Sequence, residues 1–276
     1  MKKRKTSKIL ALIMLVISLT VFGVSSYLLY DYYKAINKNE KIAENLEKKV
    51  ESQVIFTITD DGKVLVPSID MPNVTGDEGV QEKIDPYELY KDLLAENKDF
   101  VGWITIPDTN IDYPVVQTPE VEQYYLRKDF YGNDSRAGTL FCSADSDLKT
   151  PSMNIVIYGH HMKAGTMFQN LDNYRDEDFY KEHKYIQFNT LWSVGTYEVI
   201  AAFETDLHSD SYPYYKFING TEEEYKEFIE NAKKLTPYET SDTVYGDQFI
   251  TLSTCSYHTD NARYVVIAKR IQESEV

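Results

Sequence analysis

The sequence predicts a mainly β domain behind an N-terminal helical extension. Three observations predict it. From Val101 onward, short runs rich in Val, Ile, Thr, Tyr and Phe recur between turn residues: "GWITI", "IDYPVVQ", "AGTLFC", "NIVIYG", "KYIQFN", "TYEVIAAFET", "QFITLSTC" and "RYVVIAKRI". About eight strands at this spacing point to a closed or sandwich β architecture. One segment interrupts them, "TEEEYKEFIENAKKL" (221–235). It sets Tyr225, Phe228, Ile229 and Ala232 on one face of an amphipathic helix just before the strand that ends at Cys255. The 23 tyrosines suit such a sheet.

Ahead of the strands the pattern is helical and then linker-like. Residues 1–8 form a basic tail, with Lys2, Lys3, Arg4, Lys5 and Lys8 as the only charges in the first 30 positions. Residues 9–30, "ILALIMLVISLTVFGVSSYLLY", carry no charge and are long enough to cross a bilayer as a helix. The basic tail predicts an N-terminus inside and all later residues outside. A cleaved signal peptide is the rival reading, because "FGVSS" offers small residues for processing, whereas Tyr27 and Tyr30 sit where an interfacial anchor needs them. Residues 31–85 read as an extracellular stalk and linker: a polar, Gly- and Pro-free helix, then a hairpin signal in "VIFTITDDGKVLV" around Asp61 and Gly62, then "PSIDMPNVTGDEG". Asp85 before "PYELYKDLLAENKDF" supplies an N-cap and Pro at N1, which opens the domain at residues 86–276.

Charge excludes one class of partner. The chain carries a net −15, and beyond residue 30 there are 24 basic against 44 acidic residues, a net −20. A body this acidic repels phosphate backbones, so no nucleic-acid partner is expected. No CxxC, HExxH or His-rich pattern occurs, so neither a metal nor a cofactor is expected. The two cysteines, Cys142 and Cys255, lie 113 positions apart and do not form a disulfide framework, although an exported chain could pair them.

The chemistry concentrates near the C-terminus. Only a thiolate is a good nucleophile, so a working cysteine needs a base or a positive neighbour. His160 and His161 follow an apolar strand and a glycine that lets the chain turn in "NIVIYGHHM", at a rim where a side chain can face a cleft. His183 and His208 read as surface and loop residues, and His258, three after Cys255, reads as a rim or specificity residue. Arg263 opens the last strand and has the fixed donor fork that suits a developing oxyanion, though its spacing alone fits an ordinary surface arginine equally well.

"TLSTC" with a downstream "RYVV" and an upstream "YGH" resembles the sortase signature. "NKDFVGWITIPDTNIDYPVVQ", "YYLRKDFYGNDSRAGTLF", "IYGHHM" and the long helix before the cysteine strand are similar to class B sortases, over residues 86–271. The resemblance implies a sortase-type eight-stranded β-barrel and a cysteine transpeptidase of Gram-positive bacteria. It implies Cys255 as the nucleophile that attacks the carbonyl after Thr in a C-terminal sorting signal. It implies His160 as acid to the leaving amine and base to the incoming one, and Arg263 as the residue that binds the carbonyl or oxyanion. Thr254 would contribute to the oxyanion pocket, and Ser253 takes the variable position of the strand motif. The implied partners are sorting-signal-bearing surface proteins and an amine on a cell-wall precursor or a pilin. His161 departs from the asparagine common at its position, and Cys142 from an aspartate. The readings in competition are pilin polymerisation, a hydrolytic cysteine protease, and a non-catalytic surface-binding module of the same fold.

Overall fold

The computed structural model describes residues 2–50, 57–58, 64–65, 85–206, 212–255 and 262–271. The chain opens with a single 49-residue helix, α1 (Lys2–Val50). A two-rung antiparallel ladder follows, β1 (Thr57–Ile58) against β2 (Val64–Leu65), which brackets the Asp61–Gly62 turn signal. Helix α2 (Pro86–Glu96) starts where the cap chemistry puts it: the Asp85 side chain accepts from the Tyr87 N–H at 2.9 Å and Pro86 occupies the first turn.

Eight strands then close a barrel: β3 (Phe100–Thr105), β4 (Asp112–Val116), β5 (Leu140–Cys142), β6 (Asn154–Gly159), β7 (Tyr185–Thr190), β8 (Thr196–Asp206), β9 (Phe249–Cys255) and β10 (Ala262–Arg270). Their order around the barrel is β10-β8-β7-β3-β4-β5-β6-β9, with β4–β5 and β6–β9 parallel and all other pairs antiparallel. Closure removes both sheet edges, so every strand has a partner on each side. All eight apolar runs in the sequence correspond to these strands. The elements with no periodic signature are a short helix, α3 (Glu177–Glu182), and 3-10 turns at Tyr124–Arg127, Phe168–Arg175 and Tyr214–Lys216.

Alternation divides the strand residues between the barrel interior and two clusters packed outside it. Ile104, Val115, Leu140, Ile157, Leu252 and Val266 fill the barrel interior with essentially no exposure. On the outer face, Val265, Ile267 and Phe249 pack against helix α4 (Glu222–Leu235), which contributes Tyr225, Phe228, Ile229 and Ala232, as its spacing predicts. A capping box fixes the start of α4: Thr221 accepts from the Glu224 N–H, and the Glu224 carboxylate accepts from the Thr221 N–H.

The stalk expectation needs correction. Helix α1 is not free-standing after the apolar span; Ile36, Ala43 and Leu46 recur at helical spacing and are buried against the domain. Leu46 joins Leu89, Tyr90 and Leu93 of α2 in one cluster. Polar contacts flank this seam. Lys38 reaches the buried Asp129 at 2.9 Å, Asn39 donates to the Gly138 carbonyl at 2.7 Å, and the Tyr113 hydroxyl donates to Glu40 at 3.1 Å. Half-exposed composition concealed this docking, because only one residue in three or four of the helix is apolar. By contrast, residues 9–30 are exposed throughout, and their length and composition suit a membrane-crossing helix.

Cys142 lies in β5 as a free, buried thiol, and burial pushes its pKa well up. A disulfide with Cys255 is excluded, because β6 separates β5 from β9. Two strand spacings amount to about 10 Å between backbones, beyond the roughly 7 Å that a disulfide spans.

Two substitutions probe this packing. Leu46→Ala should cost about 2–5 kcal/mol in chemical denaturation of the detergent-solubilised protein; a loss under about 0.5 kcal/mol, as at a surface site, would mean that α1 is not docked. At the end of β6, a Cβ on Gly159 would lie 2.4 Å from Leu140 Cδ2 and 2.6 Å from Phe168 Cδ2. Gly159→Ala should therefore destabilise by about 1–3 kcal/mol through overpacking, and an unchanged melting temperature would contradict this.

Candidate active site

Strand register assembles the site. β6 runs parallel to β9 with Gly159 opposite Thr254 as the last registered pair, and His160 and Cys255 are the residues that follow that pair in the chain. On the other flank β10 runs antiparallel to β9, with Arg263 directly opposite Cys255. Neighbouring strands lie about 4.8 Å apart, so the arginine backbone flanks the cysteine backbone at about that distance. Registered partners share a sheet face. Positions 158, 253 and 265 form one such row.

The sequence before each residue explains why the strands end there. Gly159 is needed for close approach rather than for a turn: its lack of a side chain lets β6 pass over Leu140 and Phe168. That corrects the expectation that this glycine lets the chain turn. Gly138 serves a similar purpose. It adopts φ +64°, and a Cβ there would lie 2.6 Å from the Leu126 carbonyl oxygen.

That carbonyl orients the histidine. His160 Nε2 lies 2.8 Å from Leu126 O. A carbonyl can only accept, so Nε2 carries the proton and Nδ1 remains to take or give the exchangeable one. Burial disfavours the imidazolium and lowers the His160 pKa below its ordinary 6.5; the Leu126 hydrogen bond opposes the shift and the nearby Arg127 cation adds to it. The resting imidazole is therefore neutral at pH 7. Arg263 is half-buried, and its guanidinium donates to the Ala262 carbonyl at 3.0 Å.

The other candidates separate. Ser253 is buried and its hydroxyl bonds that of Tyr214 at 2.6 Å. Thr254 is buried on the interior row with Tyr264, and its hydroxyl has no hydrogen-bond partner among the described residues. Neither side chain forms an exposed wall. His161 is buried and pairs with Asp172 at 2.8 Å. His183 is a partly exposed surface residue that stacks on Phe179 at 3.9 Å between ring centroids and closes the end of α3. His208 and His258 lie outside the described residues. Leu126 and Tyr214 escaped sequence reasoning. A backbone carbonyl leaves no mark on composition, and Tyr214 stands in the aromatic run "SYPYYKF" without periodicity.

This geometry has known counterparts. The Sortase domain family matches residues 104–271. The chain is 34% identical to Sortase B of Staphylococcus aureus over 197 residues, 70% of this chain and 78% of that protein. It is 33% identical to Sortase B of Listeria monocytogenes over 219 residues, 78% of this chain and 84% of that protein. Among solved structures, sortase B from Bacillus anthracis superposes with a TM-score of 0.67 at 29% identity, covering 87% of this chain and 99% of that one. A Staphylococcus aureus sortase B–substrate complex does so with a TM-score of 0.63 at 31% identity, covering 70% and 88%. A closed eight-stranded barrel, the cysteine strand set between a histidine corner and an arginine strand, and these relatives lead to one conclusion: the chain belongs to the sortase family, as a class B cysteine transpeptidase.

Proposed function

We propose that this transpeptidase works from the outer face of the membrane, cleaving a sorting signal after Thr and joining the released acyl group to a cell-wall amine. The observation that carries the reading is the register that sets Arg263 opposite Cys255 and ends the β6–β9 ladder immediately before His160 and Cys255. In the first half-reaction the neutral His160 takes the Cys255 thiol proton at Nδ1. The thiolate attacks the carbonyl carbon after Thr, the Arg263 guanidinium holds the oxyanion, and the scissile C–N bond breaks as His160 returns the proton to the leaving amine. A thioester on Cys255 remains. In the second half-reaction the acceptor amine attacks the thioester, His160 removes its extra proton, and the thiolate leaves and is reprotonated.

Ser253 and Thr254 act by position rather than by contact with substrate. Their burial and the Tyr214 bond hold the end of β9 in place. The span at 9–30, with the basic tail before it, supports an inside N-terminus and an external barrel. Specificity is assigned to the segment around 212–219 and helix α4. A cleft of about 650 Å³ lies between them, with Tyr212, Phe217 and Phe228 as apolar lining and Lys216 and Glu227 among its charges. It reaches Thr205, the register partner of Arg263.

Two measurements test the reading. Mass spectrometry of the detergent-solubilised protein with a panel of NPxTx- and SPxTG-type peptides should show cleavage after Thr and a thioester adduct, both absent in Cys255→Ala. An added amine should convert the adduct to a transpeptidation product; accumulation of hydrolysis product alone would point to a protease. The pH profile supplies the second test. Because the His160 pKa is lowered, neutral imidazole persists to below 6.5. kcat/KM should therefore hold as pH falls through 6.5 and decline only below it, and an acid limb with its midpoint above 6.5 contradicts this assignment.

A further inference from the structure

The histidine corner after β6 and the arginine strand β10 are joined a second time by a chain of polar contacts that the reaction does not use. The 3-10 segment Phe168–Arg175 begins directly against the histidine corner: the Phe168 N–H donates to the His160 carbonyl at 2.9 Å, and Met167 forms a bridge with His161. Within the segment, Asp172 Oδ2 lies 2.8 Å from Nε2 of the buried His161. One turn on, Arg175 approaches the other Asp172 oxygen at 3.6 Å and donates to Glu204 Oε2 at 2.9 Å. The same guanidinium lies 4.5 Å above the centre of the Tyr264 ring. Phe168, Leu171 and Tyr174 are fully buried in the barrel cluster, so the segment is anchored along its whole length.

Both ends of this chain stop one residue short of the chemistry. His161 adjoins His160. Glu204 and Tyr264 are registered partners across β8 and β10, and the next registered row is Thr205, Arg263 and Cys255. We propose that Asp172 and Arg175 are positioning residues, which form with His161 a polar strut that fixes the spacing between His160 and Arg263 on either side of Cys255. The physical case rests on geometry and on the burial of His161 and Tyr264, against which the exposed Arg175 packs. A carboxylate–imidazole pair with little exposure and a guanidinium stacked on a buried ring each have one favoured arrangement, unlike an exposed lysine pair. A shift of about 1 Å at a reacting group costs on the order of a hundredfold in rate. The proposal rests on the transpeptidase assignment of His160 and Arg263 given above.

Asp172→Asn keeps the shape and removes the charge; Arg175→Met keeps the packed stem and removes the fork. In the full-length protein in detergent, kcat should fall about tenfold to a hundredfold in each, with KM within about twofold of the parent. In 15N-histidine-labelled protein, with His160→Gln used to assign the signal, His160 should lose its single Nε2–H tautomer signature in both variants. Lowered melting temperatures with an unchanged His160 signature and unchanged kcat per folded molecule would make the contacts merely structural and overturn the proposal. If the parent protein transfers no peptide, the functional reading fails on its own, and the histidine spectra still decide whether the strut holds His160. Should Arg175→Met not fold, the isosteric Asp172→Asn carries the test alone.

Discussion

Strand β9 is hydrogen-bonded on both sides, parallel to β6 and antiparallel to β10, and the placement of each proposed catalytic residue depends on the register it keeps with them. A slip of one residue on either side would turn the histidine or the arginine to the opposite face of the sheet. Barrel closure is what makes that register hard to change, since no strand has a free edge along which to slide. The apolar interior enforces it further. Ile250 and Leu252 on β9 face Ile155 and Ile157 on β6 and Val266 and Ala268 on β10, so a slip would also bring core residues out of the barrel. Chemistry and packing share one constraint, because the proposed nucleophile lies at the end of a core strand.

Around that register the structure adds orientation by backbone rather than by side chain. The Leu126 carbonyl selects the His160 tautomer, and it can approach because Gly138 has no Cβ to block it. Gly138 is in turn held by Asn39 of the docked N-terminal helix. A physical path therefore runs from the helix that leaves the apolar span to the imidazole: Asn39 to Gly138, Gly138 against Leu126, Leu126 to His160. It gives the docking of α1 a consequence beyond burial. The same helix that fits a membrane span presses, a few turns later, on the loop that holds the histidine.

Helix α4 plays the complementary part on the outer face. Its Phe228 and Ile229 cover Val265 and Ile267 of the arginine strand, and the segment before it sends the Tyr214 hydroxyl to Ser253. The cysteine strand is thereby held from the barrel interior by aliphatic packing and from outside by buried polar contacts, Ser253 with Tyr214 and Thr251 with Asn154. The two kinds of contact differ in what they control: packing fixes depth, and the hydroxyl pair fixes the lateral position of one residue two places before Cys255.

Much of this was legible in one dimension. The eight strands announce themselves through β-branched and aromatic runs bounded by turn residues. α2 and α4 announce themselves through caps and a 3.6-residue period, and the apolar span through an absence of charge, because each is a local consequence of side-chain type. The motif around Cys255 and the glycine before His160 likewise carry their resemblance in consecutive letters. Only the tertiary structure decided that α1 docks instead of standing free, and that Gly159 serves close packing instead of a turn. It also showed that Ser253 and Thr254 are buried, that Cys142 is two strands from the nucleophile strand, and that Leu126, Tyr214, Asp172 and Arg175 surround the site. The reason is common to all of them. Each depends on which residues far apart in the chain become neighbours, and that follows from register and barrel closure, which no local pattern of residues encodes.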